Sequence, residues 1–253
     1  MRPDLALAAV FALAAAACAL TPDAGFAQAR GNAQAEQGRE LREREAGRGM
    51  PSAGRYASDG GQSFIFDRSG GRPLLRFEQS TEIWVLRAAP APRGDVIYRN
   101  DAGDQVLRVT PDGGMTLYTP DHPGGVPVAM RGSAERLRPT PLTVVQLAGF
   151  LIRQSYLASR ALGRIVEVEA PDVGPGSEVA TAEGTAIAVE AVVRMTRSDS
   201  LRSRVTALRR ILILPGERPG ASFASGTLTI TIAPQLGVAG RPSSVVVVRA
   251  FGD

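Results

Sequence analysis

From residue 56 onward, short apolar runs alternate with Gly, Pro, Asp and Asn, a pattern typical of successive antiparallel strands. Proline presets φ in a turn and glycine adopts positive φ, so motifs such as Pro111-Asp112-Gly113-Gly114 predict the turns between strands. We therefore predict an antiparallel β-meander over residues 55–120. Its predicted strands are 63–67, 74–78, 82–87, 95–99, 105–110 and 115–119.

Six aromatic side chains fall within these predicted strands. They are Phe64, Phe66, Phe77, Trp84, Tyr98 and Tyr118. Aromatic residues on one face of a sheet more often form the core than a ligand platform. We therefore assign all six to the core.

The next segment, residues 121–140, is rich in Pro and Gly and predicts a connector. A helix follows, with Thr140 as its cap, Pro141 at its first position and Gly163 as its terminator. A second helix is predicted from Ser177 to about residue 196. It is apolar on most sides, so we expect it to be the more buried of the two.

Three further apolar runs predict strands at 211–214, 227–232 and 245–248. In the middle run the alternation places Leu228, Ile230 and Ile232 inward, with the threonines outward. Residues 141–253 are thus predicted to be an α+β region. The predicted fold class is α+β: an N-terminal antiparallel β-meander followed by two helices packed on a small C-terminal sheet.

Residues 1–29 have the features of a signal peptide: Arg2, an apolar run and small residues that allow cleavage after Ala27 or Ala29. The apolar run of about 16 residues is shorter than the roughly 20 that span a bilayer. We expect a periplasmic or secreted protein with no transmembrane span in the mature chain. Lipid anchoring through Cys18 is the alternative. Residues 30–54 predict a charged linker or solvated helix.

Composition narrows the possible chemistry, because all 29 basic residues are arginine and the chain has one histidine and one cysteine. Without lysine there is no Schiff base and no phosphate-loop lysine. The single histidine, His122, lies in the predicted connector, where nothing rigid would orient it for a catalytic triad. We predict no metal and no cofactor, and favour a protein that is not an enzyme.

Carboxylates remain as possible catalytic groups, since a glycosidase needs only two acids at a set separation. Glu78, Glu82, Asp95 and Asp112 are candidates, but the sequence does not single out a pair. The cluster Asn100, Asp101 and Asp104 does not match the calcium-loop spacing and predicts a hairpin turn.

An arginine-rich segment, residues 194–210, contains one acid, Asp199. Guanidinium groups favour phosphate or carboxylate partners, and in an exported protein these would be an anionic envelope polymer or lipid head group rather than nucleic acid. Arginines at a helix C-terminus also complement the helix dipole. The candidate anion-binding residues are Arg202, Arg204, Arg209 and Arg210.

Three strings in the chain resemble a family of uncharacterised exported bacterial proteins, known as a domain of unknown function. They are Gly94-Asp95-Val96-Ile97-Tyr98-Arg99-Asn100-Asp101, Gly113-Gly114-Met115-Thr116 and Gly240-Arg241-Pro242-Ser243-Ser244. The resemblance implies a shared fold and export, and it brings no activity, catalytic residue or cofactor. The leading hypothesis is a non-catalytic binding or structural module of the periplasm or cell envelope. The alternatives are a carboxylate-based hydrolase of cell-wall glycan and an anion-binding surface at the arginine-rich segment.

Overall fold

The computed structural model describes residues 50–252. The predicted signal peptide with Cys18, and residues 30–49 of the predicted linker, lie outside the described residues. Within them, an N-terminal lobe (residues 54–132) is built from one large antiparallel sheet. A C-terminal lobe (residues 144–251) combines helices with a smaller sheet. The α+β fold class is confirmed.

The N-terminal lobe contains nine strands in the order β4-β3-β2-β1-β9-β8-β7-β6-β5. They are β1 Gly54–Ser58, β2 Ser63–Asp67, β3 Leu74–Phe77, β4 Trp84–Val85, β5 Arg87–Pro90, β6 Val96–Arg99, β7 Gln105–Val109, β8 Met115–Thr119 and β9 His122–Gly132. The two edge strands β4 and β5 are separated only by Leu86, so the sheet must curl until its edges approach each other. The enclosed core includes Phe64, Phe66, Tyr98 and Leu107.

Strand β9 occupies the first half of the segment predicted as a connector, residues 121–140. It pairs with both β1 and β8, with a register irregularity in each pairing. The irregularity with β8 falls at Pro123, Gly124 and Gly125, which are residues that normally interrupt strands. The prediction of one strand over 82–87 is wrong in detail. Strand β4 ends at Val85, and a separate strand, β5, begins at Arg87.

The C-terminal lobe places helices on a four-stranded sheet of order β10-β11-β13-β12. Its strands are β10 Glu167–Glu169, β11 Arg210–Pro215, β12 Gly220–Ala224 and β13 Thr227–Ile232. Its α-helices are α1 Val144–Leu162, α2 Glu178–Arg197, α3 Arg202–Val205 and α4 Ser244–Ala250. The predicted orientation of β13 is confirmed: Leu228, Ile230 and Ile232 are buried, and the threonines between them are half-buried.

Helix α1 begins later than predicted, because Thr143 rather than Thr140 is its cap. The Thr143 Oγ1 accepts from the Gln146 N–H, and the Gln146 Oε1 accepts from the Thr143 N–H, which forms a capping box. Gly163 ends the helix at φ 68°, as predicted. Helix α2 has ten buried residues and α1 has two, so the expected order of burial is confirmed.

The valine run 245–248, predicted as a strand, forms helix α4 instead. A short apolar run is compatible with a strand or a helix, and here the cap at Ser243 favours the helix. The Ser243 hydroxyl accepts from the Val246 N–H, which starts a helix. Only Val247 of the four valines is fully buried.

Asp67 ties strand β2 to the segment that leads into α1. Its carboxylate accepts from the N–H of Ser69 (2.8 Å) and of Leu137 (2.7 Å). Burial alone would raise the pKa of Asp67, but these hydrogen bonds and the nearby Arg136 outweigh it, so its pKa is lower than usual. Asp67 therefore remains ionised at neutral pH and holds the segment in place.

Candidate functional site

The two lobes meet at a polar seam around the start of α4. The N–H of Ser243 donates to Asp101 Oδ2 and the N–H of Ser244 donates to Glu82 Oε1, both at 2.7 Å. Two carboxylates of the N-terminal lobe thus satisfy backbone donors at the beginning of the helix, where such donors lack partners within it. We call these contacts and those of Arg241 and Arg249 the lobe seam.

Arg241 is the most buried charge of the lobe seam, with a side chain only 3% exposed. Its Nε donates to Glu183 Oε2 of α2 at 2.7 Å, and its Nη2 donates to the Ile83 carbonyl at 2.8 Å. Nearby, Arg249 donates to the Ala102 carbonyl and to Asp104. These bonds hold β4 and the turn 100–104 against α2 and α4.

Beside the lobe seam lies a groove of about 450 Å³, which we call the Trp84 groove. Most of its walls are apolar. They include Trp84, Val106, Tyr118, Pro120 and Pro123 from the N-terminal lobe and Val245 from α4. The Trp84 ring is held edge-on against Phe77, with ring centroids 5.5 Å apart. A concave apolar surface of this size with few polar groups is typical of a ligand site.

A small cleft of about 40 Å³ adjoins the Trp84 groove, because Trp84 and Asn100 line both. We call it the arginine cleft, since Arg72, Arg87 and Arg241 lie along it. Asp101 and Arg241 already have partners in the lobe seam. Arg72 and Arg87 are exposed and form no ion pair with any residue among 50–252. The uncommitted charges of the cleft are therefore positive.

A second cavity, of about 200 Å³, is lined by two acids, Glu82 and Glu183. Both carboxylates are occupied: Glu82 accepts from the Ser244 N–H, and Glu183 pairs with Arg241. The cavity is otherwise mostly apolar, with Phe150 and Ile187 among its walls. This cavity therefore brings two acids of the described residues together.

The other acids considered from the sequence lie apart from that cavity. Glu78 pairs with Arg55 at 2.8 Å, and Asp95 is buried in contact with Arg108. That contact raises the pKa of Arg108 through its hydrogen bond to Asp95. Asp112 is exposed in the turn between β7 and β8. Glu82 is one of the acids considered from the sequence, whereas Glu183 has no sequence signal because it lies within the apolar pattern of α2.

The four candidate anion-binding arginines occupy different places in the C-terminal lobe. Arg202 donates to the Thr196 carbonyl at 2.8 Å, and Arg204 donates to the Gly252 carbonyl. Arg210 lies on β11 and pairs with Glu167 at 3.3 Å. Arg209 is exposed, just before β11. Three of the four therefore already have intramolecular partners.

The turn Asn100–Asp104 is a hairpin turn closed by hydrogen bonds of Asn100. The N–H groups of Gly103 and Asp104 donate to the carbonyl and side-chain oxygens of Asn100. Among residues 50–252 there is no group of three or more His, Cys, Asp or Glu side chains that could hold a metal ion. In the same range, no helix is long and apolar enough to cross a membrane.

Comparison with known protein families gives a match over most of the chain. A family model described as Domain of unknown function (DUF4908) matches residues 36–251. No curated protein and no solved structure matches the chain. The matched range contains both lobes, the lobe seam and the Trp84 groove. Residues 1–29, the predicted signal peptide, precede it.

Proposed function

This chain belongs to the family of domains of unknown function DUF4908, and on that premise we propose that it is an exported, non-catalytic binding protein of the periplasm or cell envelope. Its ligand site is the Trp84 groove together with the adjoining arginine cleft. Its ligand is an amphipathic molecule with an apolar body and one anionic group.

The observation that carries this proposal is the continuity of the Trp84 groove with the arginine cleft. The groove volume of about 450 Å³ lies in the range of small-molecule sites, and Trp84 and Tyr118 offer aromatic surface to an apolar ligand. Because Trp84 also lines the cleft, one ligand can contact both regions.

The anionic preference follows from the charges left without partners. Asp101 accepts from Ser243, Asp104 pairs with Arg249, and Arg241 pairs with Glu183. Arg72 and Arg87 are then the charges of the cleft that have no ion-pair partner among residues 50–252. Guanidinium groups bind carboxylate, sulfonate or phosphate through charge-assisted hydrogen bonds.

The two acids of the second cavity, Glu82 and Glu183, already have hydrogen-bond partners, which supports a binding role rather than hydrolysis. Glycoside hydrolysis needs one acid that gives up a proton and a second that acts as base or nucleophile. Glu82 holds the start of α4, and Glu183 holds Arg241. Turnover of a cell-wall glycan by the purified protein, abolished by Glu82→Gln, would overturn this part of the proposal.

Export is supported by the pattern of residues 1–29 and by the absence of any cysteine after Cys18. The family match beginning at residue 36 leaves that segment outside the domain. N-terminal sequencing of the protein from the cell envelope fraction tests this part of the proposal. We expect a chain that starts at Gln28 or Arg30.

The binding proposal is tested with two dyes of similar apolar body, anilinonaphthalene sulfonate, which is anionic, and N-phenylnaphthylamine, which is neutral. The double variant Arg72→Gln/Arg87→Gln is expected to weaken binding of the sulfonate dye by on the order of tenfold, since each exposed charge near the anion is worth about 0.7 kcal/mol. Binding of the neutral dye is expected to stay within about twofold of the unmodified protein. Fluorescence titration measures both affinities.

The matched control is Arg202→Gln/Arg209→Gln, which removes the same charge from the arginine-rich segment. It is expected to leave both affinities unchanged. If this control variant weakens binding of the sulfonate dye and Arg72→Gln/Arg87→Gln does not, the anion site is the arginine-rich segment and not the Trp84 groove. An equal loss of affinity for both dyes in Arg72→Gln/Arg87→Gln would contradict the role assigned to the two arginines.

A further inference from the structure

The outer surface of α1 is unusually apolar. Nine large apolar side chains are exposed among the described residues, and six of them lie on α1 or just after it. These six are Val144, Val145, Ile152, Tyr156, Leu157 and Ile165. Single exposed apolar residues are common on proteins, but a cluster of this kind marks an interaction surface.

Helical spacing gathers part of this cluster into a line. Val145, Ile152 and Tyr156 are separated by seven and four residues, so they share one face of α1. We call this face the α1 stripe. Arg153 and Arg160, also seven residues apart, follow the stripe along one flank. Helix α1 contains no aspartate or glutamate.

We propose that the α1 stripe binds the surface of a membrane rich in anionic phospholipid, with α1 lying parallel to the bilayer. An apolar face flanked by arginines and free of acids is the pattern of a helix that lies in the head-group region. The arginines would contact lipid phosphates, and Tyr156 has the amphipathic ring that favours this depth. At 19 residues α1 is about 28 Å long, enough to seat the whole stripe on a flat surface.

The positive charge beside the α1 stripe favours anionic lipid, rather than a second copy of the chain, as its partner. Pairing two α1 stripes would bring two sets of Arg153 and Arg160 together, and α1 offers no acid to neutralise them. An anionic lipid surface supplies the missing negative charge. The Trp84 groove is lined by other elements, so this surface is independent of the proposed ligand site.

The test uses the full chain and vesicles of phosphatidylglycerol mixed with phosphatidylcholine. In a Tyr156→Trp variant, we expect a blue shift of tryptophan emission on binding and quenching by bromine-labelled lipid. The matched control is Met130→Trp, at an exposed apolar position of β9, which should show neither effect. Both variants also contain Trp84, so a blue shift and quenching that occur in Tyr156→Trp and not in Met130→Trp report lipid contact at α1.

Two double variants separate the apolar and ionic contributions. In the Tyr156→Trp chain, Val145→Ser/Ile152→Ser is expected to lower partitioning into anionic vesicles by at least about tenfold, because it removes hydrocarbon that the bilayer would bury. Arg153→Gln/Arg160→Gln is expected to lower it by on the order of tenfold on anionic vesicles only. No blue shift at position 156 would overturn the proposal. A dimer in the absence of lipid that Val145→Ser/Ile152→Ser dissociates would instead assign the stripe to a second copy.

Discussion

Replacing Arg241 with methionine is expected to lower the free energy of unfolding by about 3 kcal/mol, because it leaves the Glu183 carboxylate and the Ile83 carbonyl without their donor. Buried ion pairs that lose one partner cost about 3 to 5 kcal/mol. We expect the lower end of that range because Glu183 keeps some contact with water, its side chain being 22% exposed. Urea unfolding followed by tryptophan fluorescence measures the change.

Two controls separate this effect from simple loss of charge. Arg131→Met removes an arginine whose partner Asp59 is fully exposed, and should leave the free energy of unfolding almost unchanged. Adding Glu183→Gln to Arg241→Met should recover part of the lost stability, since it removes the uncompensated carboxylate. A loss below about 1 kcal/mol for Arg241→Met would show that the lobe seam is not held by this residue.

Replacing Gly240 with alanine should destabilise the protein by a similar amount, about 3 kcal/mol. A Cβ at position 240 would lie 2.0 Å from the carbonyl oxygen of Ala233, far inside van der Waals contact. The two backbones are held together there by the Ala233 N–H, which donates to the Gly240 carbonyl at 2.6 Å. Relief of the clash would break that bond and displace Arg241, the next residue. Thermal unfolding measures the loss.

Gly174→Ala is the matched control, because its Cβ would meet no atom within 4 Å and its backbone is not in the left-handed region. We expect its free energy of unfolding to stay within about 0.5 kcal/mol of the unmodified protein. Equal stability of the Gly240→Ala and Gly174→Ala variants would contradict the close backbone approach at residue 240.

Turn chemistry and apolar periodicity were sufficient to predict much of the fold. Strands β2 and β8, the facing of β13 and the burial of α2 follow from local pattern. Strand β9 and helix α4 did not follow. Pro123 lies where the pairing of β9 with β8 is irregular, and Pro127 precedes the residues of β9 that pair with β1. Helix α4 forms because Ser243 caps its first turn.

The candidate site depends on contacts that no local pattern contains. Asp101 and Ser243 are 142 residues apart, and Ile83 and Arg241 are 158 apart. Two of the strings quoted for the family resemblance meet at the lobe seam, at Asp101 and Ser243. Their significance emerges only in the folded chain. The sequence predicts Trp84 and Tyr118 in the core; both are half-buried and line the groove, and Trp84 also packs against the core.

Trp84, the chain's single tryptophan, is a direct reporter of whether a ligand occupies the Trp84 groove. The decisive measurement is a titration of Trp84 emission with a fatty acid that carries bromine at the end of its chain, because bromine quenches by contact. We predict saturable quenching with one ligand per chain, weakened by on the order of tenfold in Arg72→Gln/Arg87→Gln. Emission that does not change, or quenching that is the same in the double variant, would contradict the proposed site.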